Sequence, residues 1–388
     1  MKKLLSTAAI CGLAVAVATP AHAQVSLDLG GWFKGYGFYT DQDDDDAAAE
    51  SRELDIIRDT EVHFGGETTL DNGLTVGIHI EAETDTEESF DVQESYAYFS
   101  GGWGRVNFGA EDGAAYLLQV EAPSADSNVD GIRQYVNPVN YTSAVAPGVT
   151  VAGAGGVDYD QDVTGYADKL SYLSPIMNGF QVGLTYTPDI ADLSTEDALN
   201  TDDVDDTLGS AYEAALRYEG QFNNVGVIVG AGYTHVDLED NVAPQAGGDT
   251  FSDDREAWNA GLDLDIGPFG VGVAYMNDDF GDDPTSATTE IDEEETWVVG
   301  VDYTTGPFKL GASYINIDAI NNVLGDAPDA DDGVETDRWT GGVVYTYGPG
   351  MTFRGSVSYI EHDNVAGLSG TEDSVEATSV LLGTQINF

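Results

Sequence analysis

A repeated seven-residue pattern restricts what this chain can fold into. Phenylalanine, any residue, an apolar residue, glycine, two residues and tyrosine recur as FQVGLTY (180–186), FGVGVAY (269–275) and FKLGASY (308–314), with a looser copy FRGSVSY (353–359). Each copy follows a short turn rich in Gly, Pro or Asn, and long acidic segments separate successive pairs of strands. Short turns that alternate with long loops are typical of an up-and-down antiparallel β-meander.

Each predicted strand has one apolar and one polar face, because side chains alternate along a strand. In FKLGASY, Phe308, Leu310 and Tyr314 share one face, and Lys309 and Ser313 share the other. The two aromatic residues of a copy lie ~20 Å apart at about 3.3 Å per residue. An apolar band with aromatic rings at both ends is typical of a transmembrane barrel. A soluble β-propeller, the competing structure, needs four-stranded blades and signature dipeptides that this sequence lacks.

The two ends of the chain fit an exported, closed barrel. Residues 1–23 combine a basic start, an apolar stretch and a small-x-small site, which predicts a cleaved secretory signal peptide before the barrel domain 24–388. That domain begins with the alternating segment 25–29 and ends with SVLLGTQINF (379–388). A barrel closes by pairing its last strand with its first. We therefore expect these two segments to be neighbours.

Acidic residues dominate the composition and are concentrated between the predicted strands. After the signal peptide is removed, 365 residues remain, with 11 basic residues against 70 acidic ones and a formal charge of −59. This charge excludes nucleic acid as a partner. Acidic runs such as 41–46 and 292–295 indicate that the acidic residues belong to the long loops.

Two segments carry a resemblance to a known family. VHFGGETTLDNGLTVGIHIEAE (62–83) and QESYAYFSGGWGRVNFG (93–109) resemble the second to fifth strands of the Gram-negative general porin family, and KLSYLSPIMNGFQVGLTYTP (169–188) is similar to its alphaproteobacterial branch. The resemblance implies an all-β, sixteen-stranded barrel whose third loop folds inward to narrow the pore. Residues 137–156 could add a hairpin and give eighteen strands. We expect sixteen, because the resemblance resumes at Lys169.

The resemblance also implies a function, a location and partners. It implies a channel of the outer membrane, not an enzyme, for passive diffusion of ions and small hydrophilic solutes. The expected partners are outer-membrane lipid, lipopolysaccharide, the barrel assembly machinery and two further copies in a homotrimer. The terminal Phe388 is expected to be an assembly signal. A solute-specific channel, for example for sugars, is the alternative, followed by an outer-membrane hydrolase or adhesin.

The pore constriction is predicted from a departure from the family pattern. A Gly-Arg pair usually ends the fifth strand in the family, whereas Ala110 follows Gly109 here, so one arginine is missing and we expect a preference for cations. The acidic candidates in the third loop are Glu111, Asp112, Glu121, Asp126 and Asp130. The basic candidates on the pore wall are Lys34, Arg58, Arg105, Arg133 and Lys169.

The first hairpin brings histidines and glutamates together. A three-residue turn at 71–73, with Gly73 in the left-handed conformation, would pair His63 with Glu81. The side chains then expected on the pore wall are Glu61, His63, Glu67, His79 and Glu81. This cluster could bind a transition metal or act as an acid–base pair. We interpret it as a polar wall, because two strands without a third supporting element rarely hold ligands rigidly.

Hard cations are the remaining ligand hypothesis. Asp158, Asp160 and Asp162 place carboxylates at alternate positions, but Val163 stands where a calcium loop needs glycine. The predicted function requires no cofactor, and Ca²⁺ or Mg²⁺ bound to the acidic loops is an additional expectation.

Overall fold

The computed structural model describes most of the chain after residue 24. The described residues are 25–42, 52–84, 90–125, 129–130, 133–134, 157, 159–190, 207–239, 253–281, 291–321, 334–363 and 374–388. Their strands form one closed antiparallel barrel of sixteen strands, which confirms the expected fold. The proposed signal peptide and the proposed extra hairpin at 137–156 lie outside the described residues.

The barrel strands are long and follow one another along the chain. They are β1 Ser26–Gln42, β2 Leu54–Thr69, β3 Thr75–Glu83, β4 Asp91–Gly101, β5 Gly104–Ala110, β8 Asp168–Leu173, β9 Phe180–Thr187, β10 Thr207–Phe222, β11 Val225–Glu239, β12 Arg255–Ile266, β13 Phe269–Asp279, β14 Ile291–Thr305, β15 Phe308–Asn321, β16 Val334–Gly348, β17 Met351–Asp363 and β18 Val375–Asn387. A separate pair consists of β6 Val129–Asp130 and β7 Arg133–Gln134, and a single-turn helix, α1, spans Ala114–Leu117.

Each barrel strand pairs with its sequence neighbours in the barrel, and the ends meet as predicted. β5 pairs directly with β8, so the chain between them leaves the barrel wall. β18 pairs with β1 from Asn387 opposite Trp32 to Ala377 opposite Gln42. The backbone N–H of Phe388 donates to the carbonyl of Gly31 over 3.1 Å, which ties the last residue to the first strand.

The turn chemistry of the first hairpin fixes its register. Gly73 has φ +83°, a conformation that glycine adopts without a steric penalty. The N–H of Leu70 donates to the carbonyl of Leu74 over 2.8 Å across the three-residue turn. His63 then lies opposite Glu81, as the sequence predicts.

The outer surface carries two aromatic rows. Near the short turns, the rings of Phe269 and Tyr303 have centroids 4.9 Å apart. Toward the long loops, Tyr275 lies between Trp258 and Trp297, at 4.6 and 4.5 Å. The strand residues between the rows are exposed and apolar, as expected for a surface covered by lipid. Among the described residues, no helix is long and apolar enough to cross a membrane.

A small apolar core lies inside the barrel. Ala122, Val157 and Tyr159, from the segments between β5 and β8, are buried with Ile315 and Ile317 of β15. These described parts of the segment between β5 and β8 therefore lie in the interior, which is the placement expected for the third loop.

Candidate functional site

The chain turns into the barrel directly after β5. The N–H of Ala114 donates to Thr185 Oγ1 of β9 over 2.9 Å, and the N–H of Ala115 donates to Glu213 Oε2 of β10 over the same distance. Arg217 Nη1, also on β10, donates to the carbonyl of Gln119 over 2.9 Å. Residues 111–125 thus follow the inner wall from strand to strand. We call residues 111–125 the inward limb.

A second segment returns toward β8 along the inward limb. We call residues 159–167 the return limb. The N–H of Ala122 donates to the hydroxyl of Tyr159 over 3.0 Å, and Gln161 N–H donates to Gln119 Oε1 over 2.9 Å. Gln161 Nε2 also donates to Thr234 Oγ1 on β11 over 2.8 Å. Burial raises the pKa of Tyr159, so its hydroxyl stays protonated. Each limb is therefore bonded to the other and to the wall.

Glycines of the inner wall let the inward limb approach the strand backbone. A Cβ atom at Gly300 would lie 1.9 Å from the carbonyl oxygen of Pro123, and one at Gly261 would lie 2.2 Å from that of Val120. Both distances are far below van der Waals contact, so no larger residue fits without moving the limb. We call the inner-wall glycines at which an added Cβ would meet the inward limb the glycine track. Its members are Gly183, Gly230, Gly232, Gly261, Gly272, Gly300 and Gly311.

Lys169 joins the beginning of the inward limb to the return limb. Its ammonium group donates to the backbone carbonyls of Glu111 and Gly165, and the residue is 3% exposed. The carboxylate of Glu111 accepts a hydrogen bond from the Asn107 amide. Burial raises the pKa of Glu111. Lys169 is thus an anchor of the loop, a more specific role than the expected basic position on the pore wall.

The predicted acidic residues of the constriction differ in accessibility. Glu111 and Asp112 are buried at the start of the inward limb, and Glu121 is partly exposed further along it. Asp126 lies outside the described residues, and of Asp130 only the backbone in β6 is described.

Of the other predicted basic residues, two face inward and one does not. Lys34 is buried on the inner wall, with its ammonium 3.5 Å from Asp59, and Arg105 lies over the ring of Tyr98 at 4.1 Å. The prediction for Arg58 is wrong. It pairs with Gly35 on the outward face, one position out of phase with Asp59, because strand side chains alternate. The side chain of Arg133 is outside the described residues.

Sequence reasoning missed much of the inner wall. The buried Glu213 carboxylate accepts from both limbs, through the N–H of Ala115 and, at 2.8 Å, the hydroxyl of Thr164. Alternation along the later strands is the signal that would have identified further inward bases. These bases are Arg217, Arg255, Lys309, Arg338 and Arg354.

The histidine and glutamate positions lie on the inner wall. His63 Nε2 is 3.1 Å from Glu61 Oε2 and 3.0 Å from Glu81 Oε1. His79 Nε2 is 3.2 Å from Glu81 Oε2. The Tyr98 hydroxyl donates to Glu67 over 2.7 Å nearer the short turns. Trp32 of β1 contacts the His63 ring at 4.9 Å, so four strands, not two, surround the cluster.

The proposed calcium residues are only partly described. Asp160 and Asp162 lie on the return limb and are partly buried, whereas Asp158 is outside the described residues. Calcium binding there stays a prediction.

A closed barrel with two outer aromatic rows and a loop folded into its interior defines a membrane channel with a narrowed lumen. The model of the Gram-negative porin family matches residues 6–365, and the chain belongs to this family. It is therefore a multi-pass β-barrel of the outer membrane, and family and fold support a channel for solute diffusion, not an enzyme. No curated protein matches the chain in sequence.

Several solved structures share the fold over nearly the whole chain. The anion-selective porin from Comamonas acidovorans is 17% identical, with a TM-score of 0.64, over 94% of this chain and all of that one. OmpT of Vibrio cholerae in its trimer form is 14% identical, with a TM-score of 0.57, over 94% of this chain and 99% of the other. Identities this low support a common fold and leave selectivity to be argued from this chain's own residues.

Proposed function

We propose that this porin conducts ions and small hydrophilic solutes passively and prefers cations. The observation that supports the preference is a group of carboxylates on the inner wall, Glu61, Glu81 and Glu94, each of which lies within 3.7 Å of a histidine nitrogen. Several inward bases are already compensated by acids. The compensated pairs are Lys34 with Asp59, Arg255 with Asp278 and Lys309 with Asp302.

An uncompensated carboxylate group acts strongly in a narrow pore. The lipid-covered wall has a low dielectric constant, so the field of the carboxylates is focused into the water-filled lumen and concentrates cations there. Salt limits the reach of this field to ~10 Å at 0.1 M and ~3 Å at 1 M. The cation preference should therefore decrease as the KCl concentration rises.

Reversal potentials in planar bilayers test the proposal. Purified protein is measured in KCl gradients at low and high salt, with chelator in both chambers. The inner variant replaces Glu61, Glu81 and Glu94 with Gln. The control variant makes the same change at three exposed, outward-facing glutamates. These are Glu256, Glu295 and Glu335.

We expect the inner variant to lose most of its cation preference and the control to keep it. An anion-selective reversal potential in the unmodified protein at low salt would overturn the proposed selectivity. Equal losses in both variants would show that total charge, and not the inner wall, determines the preference. A protein that inserts but carries no current would contradict the channel function itself.

A homotrimer is the second part of the proposal. OmpT, which shares the fold, is described in a trimer form. Gly37 faces outward on β1 with open space around its Cβ position, so a neighbouring barrel could approach the backbone closely there. Unheated protein should migrate on a gel far above a 365-residue monomer. Monomeric migration, with light scattering in agreement, would refute the trimer.

Ca²⁺ or Mg²⁺ bound by the external acidic loops is a further part of the proposal, supported by the charge of −59 on the mature chain. Chelator should then lower the thermal stability of the protein or the protease resistance of its loops. If neither changes, the proposed binding of Ca²⁺ or Mg²⁺ is wrong.

A further inference from the structure

Two histidines and a glutamate converge on the inner wall of β2 and β3. The ligand atoms of His63, His79 and Glu81 all lie within 4.8 Å of one another. Glu81 contacts both imidazoles, with one carboxylate oxygen 3.0 Å from His63 Nε2 and the other 3.2 Å from His79 Nε2. Glu61 adds a further oxygen, 3.1 Å from His63 Nε2.

These separations approach those of ligands on one metal ion. With Zn–N and Zn–O bonds of about 2.0–2.1 Å, two ligands of a tetrahedral ion lie about 3.4 Å apart. Two imidazole rings on such an ion have centroids about 5 Å apart. The rings of His63 and His79 are 5.6 Å apart and 81° inclined. Small side-chain rotations therefore suffice to form the site.

The cluster contains more negative charge than its histidines can balance. Glu94 Oε2 lies 3.7 Å from His79 Nε2, so three carboxylates surround two imidazoles. A neutral imidazole carries a single N–H, and two protonated rings would still leave an excess of carboxylate. Lys34 and Arg105, which lie over the neighbouring rings of Trp32 and Tyr96, have partners outside the cluster, since Lys34 lies against Asp59 and Arg105 donates to Asn107. A divalent cation would supply the missing positive charge.

Neighbouring strands hold the histidine rings. Trp32 on β1 contacts the ring of His63 edge-on at 4.9 Å, and Tyr96 on β4 lies 5.3 Å from His79. The sequence-based interpretation considers only β2 and β3, whereas β1 and β4 also support the histidines. Packing of aromatic side chains against the two rings restricts the orientation of each ring.

A second cluster, on the outer surface, is less enclosed. There His235 lies near Asp237 and Asp254, whose side chains are 46% and 44% exposed. The glutamate side chains around His63 are 9% and 17% exposed. Solvent competes less for the inner ligands, so the inner cluster is the better site and the outer one is a matched control.

We propose that His63, His79 and Glu81 bind a divalent first-row transition-metal ion inside the channel, with Glu61 as an additional ligand. Two imidazole nitrogens with carboxylate favour Zn²⁺, Cu²⁺, Ni²⁺ or Co²⁺ over Ca²⁺ and Mg²⁺, which prefer oxygen alone. Tyr96, which packs on His79, accepts a hydrogen bond over 3.4 Å from Arg105 of β5, the strand that leads into the inward limb. A bound ion would lie inside the lumen and repel other cations.

Metal binding and its effect on current are separate measurements, and only the second rests on the proposed channel function. Chelator-treated, folded protein in detergent is titrated with Zn²⁺ by calorimetry, and with Co²⁺ by visible absorption. The variants are His63→Asn and His79→Asn, each checked for barrel assembly by heat-dependent gel migration. Glu81→Gln is the second choice if a histidine variant fails to assemble, and His235→Asn is the control.

We expect each inner variant to bind Zn²⁺ at least about 10-fold more weakly, since even loss of a residue that supports a ligand costs 10–100-fold. His235→Asn should bind as the unmodified protein does. Unchanged affinity in both inner variants, or loss of binding in His235→Asn, would overturn the site. In bilayers, Zn²⁺ should reduce the cation preference of the unmodified protein and not of His63→Asn. Absence of current in every sample would contradict the channel, while calorimetry would still decide the metal site.

Discussion

Replacing Gly300 with alanine tests whether the glycine track holds the inward limb against the wall. A Cβ at this position would lie 1.9 Å from the carbonyl oxygen of Pro123. Carbon–oxygen contacts are ordinarily about 3.3 Å, so the limb must move by about 1.4 Å. Because the strand is paired on both sides, with Gly272 and Ser313, the limb is the partner that yields.

The displacement has a cost and a direction. Overpacking of a close-packed site by one methyl group typically costs about 1–3 kcal/mol. Gly300 is part of the wall, so the limb can move only toward the lumen, and the pore narrows. We expect a lower single-channel conductance and a less firmly seated loop.

Bilayer conductance and trypsin sensitivity are the two measurements. Arg133 is the only trypsin target between Arg105 and Lys169, so cleavage there reports release of the segment between β5 and β8. Gly341→Ala is the matched control, because it makes the same substitution on β16 where no atom lies within 4 Å of the added carbon. Conductance and cleavage rates that are identical in the two variants would refute the argument.

Three further predictions concern the anchors of the fold. Lys169→Met should leave the carbonyls of Glu111 and Gly165 without a donor, at about 1–3 kcal/mol each, and trypsin should cleave at Arg133 faster. Because burial raises the pKa of Glu111, protonation favours the seated loop. Protection against a protease active in acid should therefore increase as pH falls toward the ordinary pKa of a glutamate, and Glu111→Gln should weaken this dependence. Phe388→Ser should lower the membrane yield of assembled barrel without changing single-channel conductance, and a normal yield would count against the assembly role.

Much of the barrel follows from local patterns in the sequence. The turn at Gly73 fixes the register that sets His63 opposite Glu81, because a three-residue turn leaves no freedom in the pairing. Alternation from Val380 to Phe388 likewise identifies the outward face of the last strand. Such features depend on residues close in the chain, so period and turn chemistry suffice to predict them.

The interior could not be predicted in the same way. Glu213 bonds to Ala115, 98 positions away, and Lys169 bonds to a carbonyl 58 positions away. When the partner is a backbone group, any residue type can provide it, so neither the alternation of side chains nor the composition indicates which residue it is. The error at Arg58 has another origin, since Leu54 and Ile56 already assign even positions of that strand to the outer face.

The glycine track also limits how such a protein can diversify. On the membrane side of each strand, one apolar side chain can replace another, because fluid lipid adapts to its shape. On the inner side, every track position faces a fixed segment of the same chain, and a single methyl group at Gly300 or Gly261 already meets a carbonyl oxygen. Variation in pore properties must therefore arise elsewhere, at inner-wall positions away from the track or in the limbs themselves, while the track stays glycine.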